Sequence, residues 1–380
     1  MRGLASWVRS PGRARPGAVQ CADAQRTVAP STGRRTGITV VATILACPIA
    51  VLLAIETIAR LAPPPDLSVA ARHSALVLDA NGRPLRGFLA ADGQWRLPAD
   101  LEQIDPSYTR LLLAYEDRRF YQHNGIDLRA GVRALLDSVA AGRVVSGAST
   151  ITMQTAKLLR RAAQNRSHRT DLPPGRQDHP APKTEQTTRR TSWLNKGRDL
   201  VAARQLELRL SKRQILELYL TLAPFGGNLE GIRAASLAYL GKEPTRLTLG
   251  EAGLLVALPQ SPEARRPDGG AGQGAAIGRA HVLDRLASLG AIPVGAAALA
   301  KRAQLPGRSD LIFAAPHLAE RLDWQARAAA PAAQHLAKTL RATFIDPDIQ
   351  SHARAVLSAG VARWPAGTAA AGMVVRNADC

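Results

Sequence analysis

The sequence predicts a mainly α protein behind a single N-terminal transmembrane helix, and three observations predict it. Residues Ile38 to Ile55 form an uninterrupted run without a charge. Further along, apolar residues recur at spacings of three and four, the period of a helix face, in one stretch after another. Those stretches open on residues suited to N-caps and close on Gly or Pro, which are the start and stop signals of helices.

Composition sets outer bounds. A chain of 380 residues with 46% apolar content holds one large or two medium domains and has the material for a core. A formal charge of +20 implies an anionic partner: a nucleic acid, an anionic membrane surface or an anionic lipid-linked molecule. Aromatic content of 4%, with no aromatic-rich basic strand, argues against a platform for single-stranded nucleic acid. Cys21, Cys47 and Cys380 are too few and too scattered for a disulfide framework or a metal site.

Residues 1–37 carry Arg2, Arg9, Arg13, Arg15, Arg26, Arg34 and Arg35 against the single acid Asp23, and read as a disordered cytoplasmic tail. Residues 38–62 follow as a signal anchor, Glu56 being tolerated near the interface, and are long enough to cross a bilayer core of about 30 Å. A cleaved signal peptide is the competing reading, but the run exceeds a usual apolar region and no small-x-small cleavage site follows it. The Arg cluster keeps the N-terminus inside, so everything after Pro63 is expected outside the cytoplasm. Residues 63–100 form a short lead-in, in which Ala75 to Leu85 reads as strand, Asn81-Gly82 turn and return strand.

The main domain is expected over residues 101–267. Asp105 as N-cap and Pro106 at the first helical position start a helix whose apolar run Leu111 to Ala114 leads to Glu116 in its last turn. Apolar neighbours on one side and Arg118 and Arg119 on the other oppose one another at Glu116, an arrangement suited to a general base; read alone, Glu116 is equally an ordinary helix-end Glu. Asp127 can cap a helix carrying Leu128, Val132, Leu135, Leu136 and Val139. Gly147 to Gln154 opens another with small residues and hydroxyls, and with Lys157 one turn inside it offers a place for a phosphate or simply a Ser-capped helix. Arg160 to Leu194 is polar, without apolar period, and reads as a mobile loop. Lys196 to Asp199 opens a helix through Val201, Leu206 and Leu210; Ser211 caps the next, Lys212 to Leu222. Pro224 to Asn228 reads as a turn, and Gly231 to Leu240 as a helix stopped by Gly241. Thr248 and Glu251 make a capping box before a helix that Pro259 ends. A helical linker is expected over 268–342.

Glu116-Asp117-x-x-Phe120-x-x-His123-x-Gly125-x-Asp127 resembles the first motif of the glycosyltransferase family 51 peptidoglycan polymerases. Four further motifs of that family have counterparts in order: Gly147-x-Ser149-Thr150-x-Thr152-Met153-Gln154; Asn195-Lys196 with Asp199 and Glu207; Tyr219-Leu220-Thr221 with Gly231-Ile232-x-Ala234-Ala235; and Gln260-Ser261-Pro262 with Arg266-Pro267. The resemblance covers roughly residues 75 to 267, and the hairpin lead-in and Met153 are similar to class A penicillin-binding proteins of the 1C type. It implies a lysozyme-like domain that polymerises lipid II at the outer face of the cytoplasmic membrane. Glu116 would be the base and Asp199 the second carboxylate, with Asp standing where the family has Glu. Ser149, Thr150, Gln154, Lys157, Lys196, Arg119 and His123 would bind substrate and its pyrophosphate. It leaves room for a divalent cation such as Mg2+ held by Asp199, and implies no other cofactor. The implied partners are lipid II, the growing glycan, the membrane and cell-wall synthesis proteins, and no nucleic acid. Thr343 to Gln350 resembles the phrase that begins a transpeptidase domain, so 343–380 would be the truncated start of one with Ala370 to Val375 as its first strand, yet S-x-x-K, S-x-N and K-T-G occur nowhere, and transpeptidation is not expected of these residues. The alternative is a degenerate lipid II-binding or cell-wall scaffold, to which Asp199 and Thr221 in place of Glu and Asn would point.

Overall fold

The computed structural model describes residues 50–79, 84–141, 149–170, 185–269, 272–308, 320–321, 340–343, 352 and 355–356. The chain divides into two compact units, residues 1–52 and 53–380, and of the first only 50–52 are described. Helix α1 covers residues 50–61, so the first half of the expected span lies outside the described residues. No helix among the described residues is long and apolar enough to cross a membrane. Glu56, the one acid in the apolar run, accepts from Arg204 (Nε to Oε2, 2.5 Å), and Gln205 Nε2 donates to the Ala62 and Pro63 carbonyls. Leu53, Ile58 and Leu61 remain exposed on the same segment.

The lead-in forms as its pattern predicts: β1 (Ala75–Leu78) pairs antiparallel with β2 (Pro84–Phe88), with Ala75 opposite Phe88. The Asn81-Gly82 turn lies outside the described residues. A third strand, β6 (Leu340–Ala342), joins β1 in parallel. The second sheet is built by β3 (Trp95–Arg96), β4 (Pro224–Gly226) and β5 (Leu229–Glu230). The stretch expected as a plain turn at Pro224 is therefore a short strand, antiparallel to β5 across the tight bend at Gly227 and Asn228. Arg96, 1% exposed, ties these pieces together: it donates to the Val69 and Arg72 carbonyls and pairs with Asp92 and Glu230.

The helices build the main core. They are α2 (Pro106–Glu116), α3 (Leu128–Ala140), α4 (Ile151–Thr170), α5 (Glu185–Glu207), α6 (Lys212–Leu222), α7 (Ile232–Leu240), α8 (Leu249–Ala257), α9 (Gln273–Ser288) and α10 (Val294–Arg302). The expected caps are present: Asp105 accepts from Ser107 N, and Ser211 and Thr248 each close a reciprocal capping box. Helix α8 is buried nearly all round, as its unbroken apolar run demands, and packs against α2, α7, α9 and α10. Ala275, Val282 and Leu286 of α9 join the same core, so there is no break in packing at residue 267.

Two expectations change. The polar stretch from Arg160 to Leu194 is helical over 160–170 and 185–194, and only 171–184 lie outside the described residues. Arg, Ala and Gln are good helix formers, and a helix nucleated on its buried half, the first in α4 and the second in α5, propagates into polar sequence that shows no apolar period. In α3, Leu128, Val132 and Leu136 recur every fourth residue as expected, but they are 52%, 59% and 63% exposed and do not face the core.

Candidate active site

Glu116 is the last residue of α2, which buries Tyr108, Leu111 and Leu112 and leaves the carboxylate half-exposed at its end. Gln154 Nε2 donates to Oε2 at 2.9 Å and Gln260 Nε2 donates to Oε1 at 2.8 Å. A carboxylate has about four lone-pair sites, so each oxygen keeps capacity to accept a proton. The Tyr108 and Tyr219 hydroxyls are buried without a hydrogen-bond partner among the described residues. Burial first, and the charge of Glu116 second, push both phenols up, so both stay neutral.

The rest of the first motif is a frame. Asp117, buried, accepts from His123 Nε2 at 3.0 Å and from the backbone N–H of Ile151 at 3.0 Å. His123 Nδ1 accepts from Gly125 N at 3.1 Å, which fixes the tautomer: the proton is on Nε2 and faces Asp117. Gly125 has φ 91°, and a Cβ there would lie 3.2 Å from the Ala203 carbonyl of α5. Thr150 donates to the Gly125 carbonyl at 2.6 Å and accepts from Met153 N at 3.1 Å. The N-terminus of α4, expected to present free N–H groups, is thus occupied at Ile151 by the carboxylate of Asp117 and at Met153 by Thr150. Glu207 accepts from Thr152 and Lys212, both at 2.7 Å, and locks α4 to the α5–α6 junction.

A cavity of about 740 Å³ opens beside Glu116. Its wall carries Arg118, Arg119, Arg129, Arg133 and Arg285, with Ser149 and Thr150, against Glu116, Asp117, Asp127 and Asp137. Asp117 is turned to His123 and Ile151, and Asp127 pairs with Arg119 at 3.2 Å and caps α3 at Ala130, so five arginines against four carboxylates leave the wall weakly positive. The Arg285 guanidinium lies 5.6 Å from the Tyr115 ring centre, within cation–π range.

A second basic group lies along α4 and α5. Asp199, 7% exposed, takes a two-point contact from Arg160, Nε to Oδ1 at 2.8 Å and Nη2 to Oδ2 at 3.2 Å. Lys157 is held below its ordinary value by desolvation first, then by Arg161, with Arg160 and Lys196 adding to the effect and Asp199 opposing it. Lys157 follows Gln154 by one helical turn, so this group shares a helix face with the amide that touches Glu116. A divalent cation does not fit here. Both Asp199 oxygens are engaged by Arg160, and among the described residues no three His, Cys, Asp or Glu side chains converge.

Residues 81–287, more than half of the chain, match the family described as Transglycosylase. The chain belongs to the transglycosylase family. It is 41% identical over 248 residues to penicillin-binding protein 1C of Escherichia coli, covering 65% of this chain and 28% of that protein. It is 31% identical over 194 residues to penicillin-binding protein 1F of Bacillus subtilis, covering 51% of this chain and 23% of the relative. It is also 34% identical over 182 residues to a biosynthetic peptidoglycan transglycosylase of Haemophilus influenzae, 47% of this chain and 65% of that one. The chain thus spans about a quarter of the two penicillin-binding proteins and about two thirds of the shorter transglycosylase.

Within this transglycosylase domain the expected site residues separate into three sets. Glu116, Gln154, Arg119 and Ser149 meet at the cavity or at the carboxylate itself. Lys157, Lys196 and Asp199 gather in the second basic group. His123 and Thr150 are engaged inside the fold: both ring nitrogens of His123 are used within the motif, and the Thr150 hydroxyl, on the cavity wall, bonds Gly125 and Met153. Thr221, which stands where the family pattern has Asn, accepts from Ala99 N and donates to the Glu217 carbonyl, a structural role. Three residues at or beside the site carry no role in the sequence reading: Gln260, placed in a motif without chemistry, Arg265 and Arg285. The Gln-Ser-Pro phrase was the one signal pointing at Gln260, and Arg285 lies on a helix with no motif.

Proposed function

We propose that this domain polymerises lipid II into glycan strands at the outer face of the cytoplasmic membrane, with Glu116 as general base. The 4-hydroxyl of the acceptor sugar gives its proton to Glu116 as its oxygen bonds to the anomeric carbon of the donor. The bond from that carbon to phosphate breaks, and the electron pair leaves with undecaprenyl pyrophosphate. The observation that carries this reading is the setting of Glu116: a carboxylate held by two neutral amides, beside an arginine-walled cavity and one helical turn from Lys157. General-base assistance of this kind is worth roughly two to four orders of magnitude in rate. Lys157 and Lys196 face the charge that develops on the departing diphosphate.

Asp199 orients Arg160 and tempers the second basic group. The exposed apolar row of α3 and the apolar segment entering α1 supply the contact with lipid, and the basic tail adds about 1 kcal/mol per well-placed residue on an anionic leaflet. The test is glycan formation from labelled lipid II by the full chain and by Glu116→Gln. The variant, isosteric and unable to accept the proton, loses about two to four orders of magnitude; polymerisation at the parental rate overturns the reading. A scaffold that only binds lipid II shows no product with either protein.

A further inference from the structure

We propose that Gln260 is a positioning residue for Glu116 and that Arg265 acts on the base through it, an inference that rests on Glu116 being the base. Gln260 ends the 3-10 turn Leu258–Gln260 that continues α8, 144 residues along the chain from the carboxylate it touches. Its amide oxygen accepts from Arg265 Nη1 at 2.8 Å and from the Tyr115 hydroxyl at 3.3 Å, while its nitrogen donates to Glu116. The amide has one workable orientation. A flip would set its NH2 against a guanidinium that has donors only, and its carbonyl against a carboxylate that has acceptors only.

Arg265 is itself held. The same Nη1 donates to the Ala257 carbonyl at the end of α8, 2.8 Å away, and its stem lies on Gly278 of α9, where a Cβ would come within 2.7 Å of Cδ. A line of fixed groups therefore runs from the α8–α9 contact through Arg265 and Gln260 to one oxygen of Glu116, and Gln154 of α4 holds the other. Two amides from different helical elements set the plane of the carboxylate. They do so without the direct ion pair that would neutralise it, and among the described residues no cation pairs with Glu116. Arg265 contributes its charge one residue removed, by polarising the amide that donates.

The test is steady-state polymerisation of labelled lipid II by the full chain. Gln260 is exposed, so truncation leaves no cavity, and thermal melting confirms that each variant folds as the parent does. Gln260→Ala is expected to lower kcat by about 10- to 100-fold with KM changed less than about twofold, the signature of a misaimed group rather than lost substrate binding. Arg265→Ala lowers kcat less, and Gln260→Ala with Arg265→Ala together are no worse than Gln260→Ala alone, because the arginine acts through the glutamine. Gln260→Glu turns a carboxylate on Glu116 when ionised and an O–H donor when protonated. Its activity relative to the parent therefore rises as pH falls into the carboxylic acid range, a trend that a packing role does not produce. Parental kcat in Gln260→Ala overturns the positioning role, and additive losses in the double variant overturn the relay; in both cases an inactive Glu116→Gln leaves the base in place. An active Glu116→Gln removes the base and this inference with it.

Discussion

At Asp199 the charge is retained from the family's Glu, but the carboxylate is closed by a planar guanidinium at two points, the strongest pairing a surface-accessible Arg can make. Its effect on substrate therefore passes through its neighbours. Lys157 is pushed down by desolvation and then by Arg161, Arg160 and Lys196, and Asp199 is the group that pulls it up. A lysine is cationic below its pKa and loses charge as pH rises through it. Removing Asp199 lowers that point further, so the cationic window of Lys157 closes at lower pH. Asp199→Asn removes a negative charge and releases Arg160, so inhibition by inorganic pyrophosphate is expected to strengthen a few-fold, at most about tenfold, where Lys157 is cationic, the gain shrinking as pH rises. If Asp199 instead reacts directly with substrate, kcat collapses while the pyrophosphate inhibition constant and its pH dependence stay parental.

Elements were legible wherever the determinant was local. Asp105-Pro106, Ser211 and Thr248 with Glu251 each state a helix start within four residues, and all three helices begin there. Helix α8 shows a limit of this reading: its capping box and apolar run describe a buried helix fully, yet Gln260, at the end of the 3-10 turn that continues it, reaches Glu116 across 144 positions, a relation no local pattern encodes. The lengths of α4 and α5 were missed because propagation into polar sequence leaves no periodic trace. The two glycines bounding α7 separate local from tertiary demand. Gly231 (φ 86°) and Gly241 (φ 66°) both have the positive φ that favours glycine, but a Cβ on Gly241 meets nothing within 4 Å, whereas one on Gly231 falls 2.7 Å from the Thr221 carbonyl oxygen. Gly241→Ala is expected to cost about 1–2 kcal/mol, the conformational penalty alone. Gly231→Ala adds a backbone collision and costs about 4 kcal/mol or more, the range of exceptional single substitutions. Urea unfolding of the two variants checks this, and equal losses would show that the α6–α7 contact yields.

Across the whole molecule, charge and exposed apolar surface point to one environment. Net charge of +20 and an uncharged run from Ile38 were readable directly, but which apolar residues stay outside the core was not, since spacing gives a face without saying what the face meets. Leu128, Val132 and Leu136 are the informative case: three large apolar side chains in a row on α3, more than half exposed, on the helix whose Arg129 and Arg133 line the cavity beside Glu116. A soluble surface scatters such residues singly; a row of them beside a basic cavity suits a lipid headgroup boundary. In the full chain reconstituted into vesicles, with Cys21, Cys47 and Cys380 replaced by Ser, an environment-sensitive fluorophore attached at Val132→Cys is expected to emit as in an apolar medium and to be quenched by brominated acyl chains. Each of the three side chains transferred into the interface is worth about 1.5–3 kcal/mol at full burial. Leu128→Gln and Leu136→Gln together therefore shift the label towards water, while the stability of the fold, to which these exposed positions contribute little, is unchanged. A fluorophore that reports water in the vesicles as it does in detergent-free buffer would mean that α3 faces solvent, and that the membrane contact resides in the N-terminal segment alone.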